Sequence, residues 1–255
     1  MNVFIATPCH SGSCKVEYIE SLMKTIELFK NNNIKYEVKI LNGDSILTRA
    51  RNSLVALFMN NPSFTHLLFI DDDIAWSQEG LIDILKQDKP IIGAFCPKKA
   101  LNLQKTKNIN NILESKTDIN NLFVNEEAFI VHNLVDYCYT PLTNTVASDG
   151  NYLEVNHIGT GFMVIKREVF TKMINDNDET IYIDDTNAMS GTNIKYCYNI
   201  FTTKIVNNCL YGEDWMFCEQ WKKMGGEIYG HLGLSIVHIG NFRFSGRIAS
   251  TLKFA

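Results

Sequence analysis

The segment "THLLFIDDDIAW", Thr65 to Trp76, decides how the rest of the chain is read. Leu67 to Ile70 are consecutive apolar residues, and a short run of that kind predicts a buried strand. Three aspartates follow at once. Adjacent carboxylates repel one another and do not belong inside a sheet, so the strand must end there, near water. In an extended segment Asp71 and Asp73 point to one side and Asp72 to the other. Two carboxylates aimed at one point need a cation, a shared proton or hydrogen-bond donors. Their hard oxygens favour Mg²⁺ or Mn²⁺. An Asp-rich turn that only caps a helix is the plain alternative.

The flanking segments give the strand its context. Residues 3–7, "VFIAT", predict a buried strand. Residues 15–30 carry apolar side chains at helical spacing and stop at Asn31–Asn33. "YEVKIL" alternates as a second strand. Asp44 or Ser45 is placed to cap a helix through "ILTRARNSLVALFMN", and Ser77 to cap a shorter one, "QEGLIDILKQ". Pro90 opens "IIGAF". This alternation predicts a mostly parallel sheet with helices on its faces. Ligands of such sheets sit beyond the carboxyl ends of the strands. Here those ends are Thr7-Pro8, Asp71 to Asp73, and Pro97-Lys98-Lys99. Lys98 and Lys99 read as a solvated loop end, with phosphate contact the alternative.

Residues 101–156 interrupt the alternation. They are polar and Asn-rich, with one strand expected in "EAFIVHNLVDYCYT". The pattern resumes at "HIGTGFMVIKREVFTKMI": a glycine turn, a strand, then a helix from near Arg167. Residues 194–211 predict one or two strands. "GEDWMFCEQWKKMGG" predicts a helix stopped by Gly225. "EIYGHLGLSIVHIG" predicts the last strand, ending at His238. Trp76 is expected to line a ligand cleft, and Trp215 and Trp221 the core or a pocket wall.

Composition narrows the function classes. The chain has 255 residues, 45% hydrophobic and 20% charged, with a formal net charge of −4. That balance gives no basis for nucleic-acid binding driven by bulk positive charge. No apolar run approaches the roughly 20 residues that span a bilayer. The start, "MNVFIATPCHSG", turns polar too early for a signal-peptide core. Seven cysteines without a Cys-x-x-Cys pair predict reduced thiols and a cytoplasmic protein. Cys9, His10 and Cys14 lack a second ligand pair at zinc-site spacing.

Several segments, taken in order, resemble the nucleotide-sugar-dependent glycosyltransferases of the GT-A fold. They are "ATPCHSG", "ILTRARN", "HLLFIDDDIAW", "IIGAFCPKK", "HIGTGFMVIKREVF", "YGEDWMFCEQWKKMG" and "VHIG". The set spans most of the chain and is most similar to small glycosyltransferase domains of large DNA viruses and phages. The resemblance implies a single GT-A-like (Rossmann-like) α/β domain with a mostly parallel central sheet. Residues 1–100 would be the nucleotide-binding half, 101–156 a variable excursion, and 157–255 the sugar- and acceptor-binding half. It also implies roles. Asp73 and His238 would bind the metal, and Asp71 would share it or face the ribose. Asp72 would be the nucleotide-side neighbour. Thr7 and Pro8 lie where the family holds the base. Arg51, or Arg49 in its place, would contact the nucleotide or diphosphate. Thr160 and Gly161 fall near the donor sugar. Asp214 would be the catalytic base of an inverting enzyme, with Glu213 beside it.

The chemistry fits these roles. Negative charge grows on the departing phosphate, where a divalent ion, Arg243 and Arg247 would be useful. The acceptor hydroxyl must lose a proton, which a carboxylate within reach can take. Asp214 starts a helix, whose dipole favours the ionised form. The expected activity is metal-dependent sugar transfer from a nucleoside-diphospho-sugar, a UDP-sugar first, to a hydroxyl of a glycan or glycoprotein. A nucleotidyltransferase is the first alternative, although "TPCHSGSCK" makes a poor phosphate loop. A non-catalytic sugar-binding module is the second. If the chain is virus-encoded, as the resemblance implies, its location would be the host cytoplasm or the virion.

Overall fold

A computed structural model describes residues 1–87, 89–108, 126–142, 148–176, 181–184, 192, 194 and 197–251. In chain order the elements are β1 (Asn2–Cys9), α1 (Val16–Asn31), β2 (Lys35–Asn42), α2 (Leu47–Asn60), β3 (His66–Ile70), β4 (Ile74–Trp76), α3 (Leu81–Lys86), β5 (Ile91–Ala94) and β6 (Pro97–Leu101). Next come α4 (Glu126–Leu134), β7 (Val135–Tyr137), β8 (Tyr139–Pro141), β9 (Ser148–Asp149), β10 (Tyr152–Ile158), β11 (Phe162–Lys166) and α5 (Arg167–Asn175). The last are β12 (Ile181–Tyr182), β13 (Cys197–Tyr198), β14 (Lys204–Val206), β15 (Cys209–Tyr211), α6 (Glu213–Lys223), β16 (Tyr229–His231), β17 (Ile236–Ile239) and β18 (Arg243–Gly246).

The main sheet has the order β2-β1-β3-β11-β5-β16-β10-β8, with β9 also paired to β10. Most of its strands run one way; β11 and β10 run against them. Strand alternation builds the core. Phe4, Leu67, Phe69, Met163 and Ile165 pack on one face with α2, α5 and α6. Val3, Ile5, Leu68, Ile70, Phe162 and Val164 pack on the other, against α1 and α3. A strand buried on both faces has to be apolar at every position, which is why β3 reads as an unbroken run. Each such buried side chain contributes about 1.5–3 kcal/mol.

The sequence pattern places β3 and β5 side by side. The structure inserts β11 between them, antiparallel to both, with Met163 opposite Phe69 and Gly93. Strand order is set by long-range pairing, and the local pattern carries no record of it.

Other expectations are corrected. Residues 126–134 form a helix, because a short apolar run cannot be assigned by period alone. Phe129, His132 and Leu134 are its buried positions among the described side chains. The remaining central part of the expected 101–156 excursion, residues 109–125 and 143–147, lies outside the described residues. "EIYGHLGLSIVHIG" is two strands in two sheets, not one. Ser77 does not cap α3; its backbone N–H bonds Ser235 and Gly80 precedes the helix at φ +81°. The α2 cap is Ile46, with Asp44 receiving its N–H.

Trp76 is core, not cleft. It is 4% exposed, donates from Nε1 to Thr25 at 2.9 Å and packs on Tyr18 and Phe162.

A second, three-stranded sheet, β18-β17-β4, stands beside the main one. β3 belongs to the first sheet and β4 to the second. The three aspartates occupy the change of sheet between them.

Candidate active site

Asp71, Asp72 and Asp73 form a tight turn, closed by the Ile74 N–H on the Asp71 carbonyl at 3.2 Å. The extended geometry expected of them does not hold, since the chain must reverse to enter β4. A turn splays its side chains, and the three carboxylates go three ways. Asp71 accepts a bond from Arg51 Nη2 at 2.9 Å. Asp72 accepts one from the Cys9 thiol. Asp73 faces His238 Nε2 at 3.3 Å and receives the Lys99 ammonium. Separation lowers the mutual repulsion that made the run look improbable.

The Asp73 side of the turn is held by the second sheet. The Ile239 N–H bonds the Asp73 carbonyl at 2.8 Å, and His238 pairs with Ile74 across the β17–β4 ladder. His238 Nδ1 lies 2.8 Å from the Pro97 carbonyl. A carbonyl only accepts, so Nδ1 carries a proton, and the ring is fixed with Nε2 toward Asp73 Oδ1. That second bond is how a protein orients an imidazole as a metal ligand. Burial alone would raise the Asp73 pKa, but His238 and Lys99 hold it below the usual carboxylate range.

One carboxylate and one imidazole nitrogen suit Mn²⁺ or Mg²⁺ as a partial ligand set, the other positions going to water or phosphate oxygens. Among the described residues no group of three His, Cys, Asp or Glu forms a metal cluster. Asp71, expected to share the metal, is turned to Arg51.

Arg51 is the buried centre of the other half. It is 1% exposed, with Nε 3.2 Å from Glu213 and the guanidinium 5.2 Å from the Phe69 ring. Burial works against its charge, but Asp71 and Glu213 more than offset this and hold it protonated. Its Nη1 is buried and has no hydrogen-bond partner among the described residues. Arg49 instead makes a two-bond pair with Asp44 at 2.9 and 2.8 Å. Burial pushes the Asp44 pKa up, yet this pair and the Ile46 N–H bring it down.

Between the two halves lies the turn joining β10 to β11, Gly159-Thr160-Gly161. The Asp71 N–H bonds the Gly161 carbonyl at 3.0 Å. A methyl group at Gly161 would sit 3.5 Å from Asp71 Oδ2 and 3.3 Å from Cys96 Sγ. One at Gly159 would sit 3.7 Å from Asp214 Oδ2 and 3.2 Å from Cys138 Cβ. A side chain at either position would press on Cys96 or Cys138, so the glycines let the turn pass close to the two carboxylates, while Thr160 itself is buried.

Asp214 departs from expectation. The helix start was expected to favour its ionised form. Instead its pKa is pushed up to about 6, first by burial and then by the charge of Glu213, against the lowering effect of the Trp215 N–H and Arg51. Desolvation outweighs the dipole here.

The other predicted residues lie at the margin. Thr7 and Pro8 are buried, and Thr7 Oγ1 shares a 2.6 Å bond with Tyr18. Arg243 is exposed and pairs with Glu17 at the start of α1 at 3.0 Å. Sequence reasoning missed Gly159 and Cys138, and it gave Lys99 to a loop. The "GTG" turn and the "PKK" strand end were the signals that pointed to them. All seven cysteines are free thiols, as their scatter predicted.

Comparisons with known proteins concern the whole chain. No family model matches it, and no curated protein matches it in sequence. Among solved structures it is similar to A197 from STIV, with a TM-score of 0.52 and 16% identity, over 94% of this chain and 86% of that one. It is more distantly similar to the catalytic domain of Drosophila β1,4-galactosyltransferase 7 in complex with xylobiose, with a TM-score of 0.46 and 12% identity, over 97% and 71%. A mutant of that enzyme with manganese, UDP-Gal and xylobiose gives 0.45 and 11%, over 97% and 70%. At these identities the likeness is one of fold. The α/β architecture expected from the sequence, a mostly parallel central sheet flanked by helices, is the architecture observed. No helix among the described residues is long and apolar enough to cross a membrane.

Proposed function

We propose that this chain is a glycosyltransferase that moves a sugar from a nucleoside-diphospho-sugar to an acceptor hydroxyl, with inversion. The observation that carries this reading is one juxtaposition. Asp71, in the same turn as the Asp73–His238 pair, lies beside Gly161 at one end of the glycine turn, and the carboxyl of Asp214 lies beside Gly159 at the other.

Each group has a task. Asp73 and His238 Nε2 would hold a Mn²⁺ or Mg²⁺ ion. When bound, that ion supplies positive charge against the charge growing on the departing diphosphate. Arg51 holds Asp71 and Glu213 in place. Gly159 and Gly161 would let the donor sugar lie against bare backbone of the turn between Asp71 and Asp214. Asp214 takes the acceptor proton, and a pKa of about 6 leaves it ionised at neutral pH yet basic enough to accept it. The β1 end, with Asp72 and Cys9, supports a nucleotide site on the side away from Asp214.

The test is a panel of nucleotide-sugars with Mn²⁺, UDP-sugars first, scored by thermal shift and then by transfer to oligosaccharide acceptors. The true donor should raise the melting temperature selectively. Stabilisation by nucleoside triphosphates alone would support a nucleotidyltransferase. No shift with any donor would overturn the reading.

A further inference from the structure

Lys99 reaches Asp73 through a built passage. It stands on β6 two residues after Pro97, whose carbonyl orients His238. Its ammonium bonds Asp73 Oδ2, on the same carboxylate whose Oδ1 faces His238. Its stem runs over Gly240, two residues after His238: a methyl group there would sit 3.3 Å from Lys99 Cδ and 3.8 Å from Cγ. β6 and the end of β17 thus form two walls, and one lysine passes between them.

An ammonium on Oδ2 and a divalent ion on Oδ1 of one carboxylate lie close enough to repel, so each weakens the hold of the other. We propose that Lys99 is a built-in counter-ion that competes with the divalent cation for Asp73, and that the donor's diphosphate receives the ammonium when the cation takes its place. The inference rests on the assignment of Asp73 and His238 as the cation site. Two further features support it. The Lys99 side chain is 39% exposed, so it can swing out without breaking the core. A nucleoside diphosphate brings anionic oxygens to where the released ammonium would go, which is the chemistry lysine binds best as a point charge. Cation and donor then bind cooperatively: each removes an obstacle to the other.

The experiment is a Mn²⁺ titration followed by electron paramagnetic resonance, with and without UDP. It uses the full chain and its Lys99→Met, Lys99→Arg and Asp73→Asn variants, each checked for folding by circular dichroism. Without UDP, Lys99→Met should bind Mn²⁺ roughly fivefold or more tightly than the parent, the scale of a half-exposed ion pair. Lys99→Arg should stay as weak as the parent, and Asp73→Asn should not bind. UDP should tighten Mn²⁺ binding in the parent and do so less in Lys99→Met. Equal or weaker Mn²⁺ affinity in Lys99→Met overturns the competition and leaves the cation site standing. Mn²⁺ bound by none of the proteins overturns both the competition and the metal part of the proposed function. UDP binding that is the same in the parent and Lys99→Met overturns the donor half of the inference.

Discussion

Asp214 begins a helix, where backbone N–H groups favour a carboxylate, yet its pKa is pushed up to about 6 by burial and by Glu213. Stability must follow. The unfolded group titrates at 3.8, so between there and about 6 the folded chain holds a proton that the unfolded chain has released. The stability this group contributes therefore falls as pH rises through that window. Asp214→Asn should be more stable than the parent by about 2 kcal/mol at pH 7.5 and nearly equal to it at pH 3.5, measured by urea unfolding. The same substitution should leave donor affinity intact and cut transfer by about 10²–10⁴-fold. In the parent, kcat/KM should rise with pH through about 6 before levelling. A flat profile, or an Asp214→Asn variant with full transfer, would remove Asp214 as the base. At the aspartate turn, Asp73→Ala should abolish Mn²⁺-dependent donor binding, read by calorimetry.

At the scale of elements, termini and turns position the site. Arg167, the first residue of α5, closes the end of α2: its guanidinium donates to the carbonyls of Phe58, Asn61 and Phe64 at 2.7, 2.6 and 2.6 Å. It also lies over the Phe58 ring. Phe58 lies in the last turn of α2, where its carbonyl has no intrahelical partner, and Asn61 caps that end. Arg167→Met should cost about 3 kcal/mol in urea unfolding and leave donor affinity unchanged, because the clamp is far along α2 from Arg51. The same helix carries Asn52, whose amide oxygen accepts the N–H groups of Ile200 and Phe201 at 3.2 and 2.8 Å. "TRARN" thus supplies a surface pair at Arg49, a buried link at Arg51 and a loop anchor at Asn52. The resemblance gave the nucleotide contact to Arg51 or Arg49. Nothing in the five letters separates them, because both sit on one helical turn, and only burial shows which faces the sheet.

For the whole molecule, Arg51 joins the end of β3 to the start of α6. It carries the only guanidinium among the described residues seen to bond two acidic side chains across those elements. Removing one member of a buried charge network leaves the others uncompensated. Arg51→Met should cost about 3–5 kcal/mol in urea unfolding, and adding Asp71→Asn and Glu213→Gln should recover much of that without restoring transfer. Recovery of neither would mean that Arg51 acts through packing on Phe69 alone.

The chain's own order determined the layered α/β class, the strand that stops at Asp71 and the helix that opens at Glu213. Those features are local: apolar period, carboxylate repulsion and chain-breaking residues act over a few positions. Tertiary structure alone decided that β11 enters between β3 and β5, that the aspartates turn between two sheets instead of extending from one, and that Lys99 meets Asp73. It also decided which arginine is buried and which way the Asp214 pKa moves. These depend on partners far apart in sequence, 162 residues between Arg51 and Glu213 and 141 between Pro97 and His238. Desolvation, moreover, is a property of the assembled neighbourhood and not of the residue that bears it.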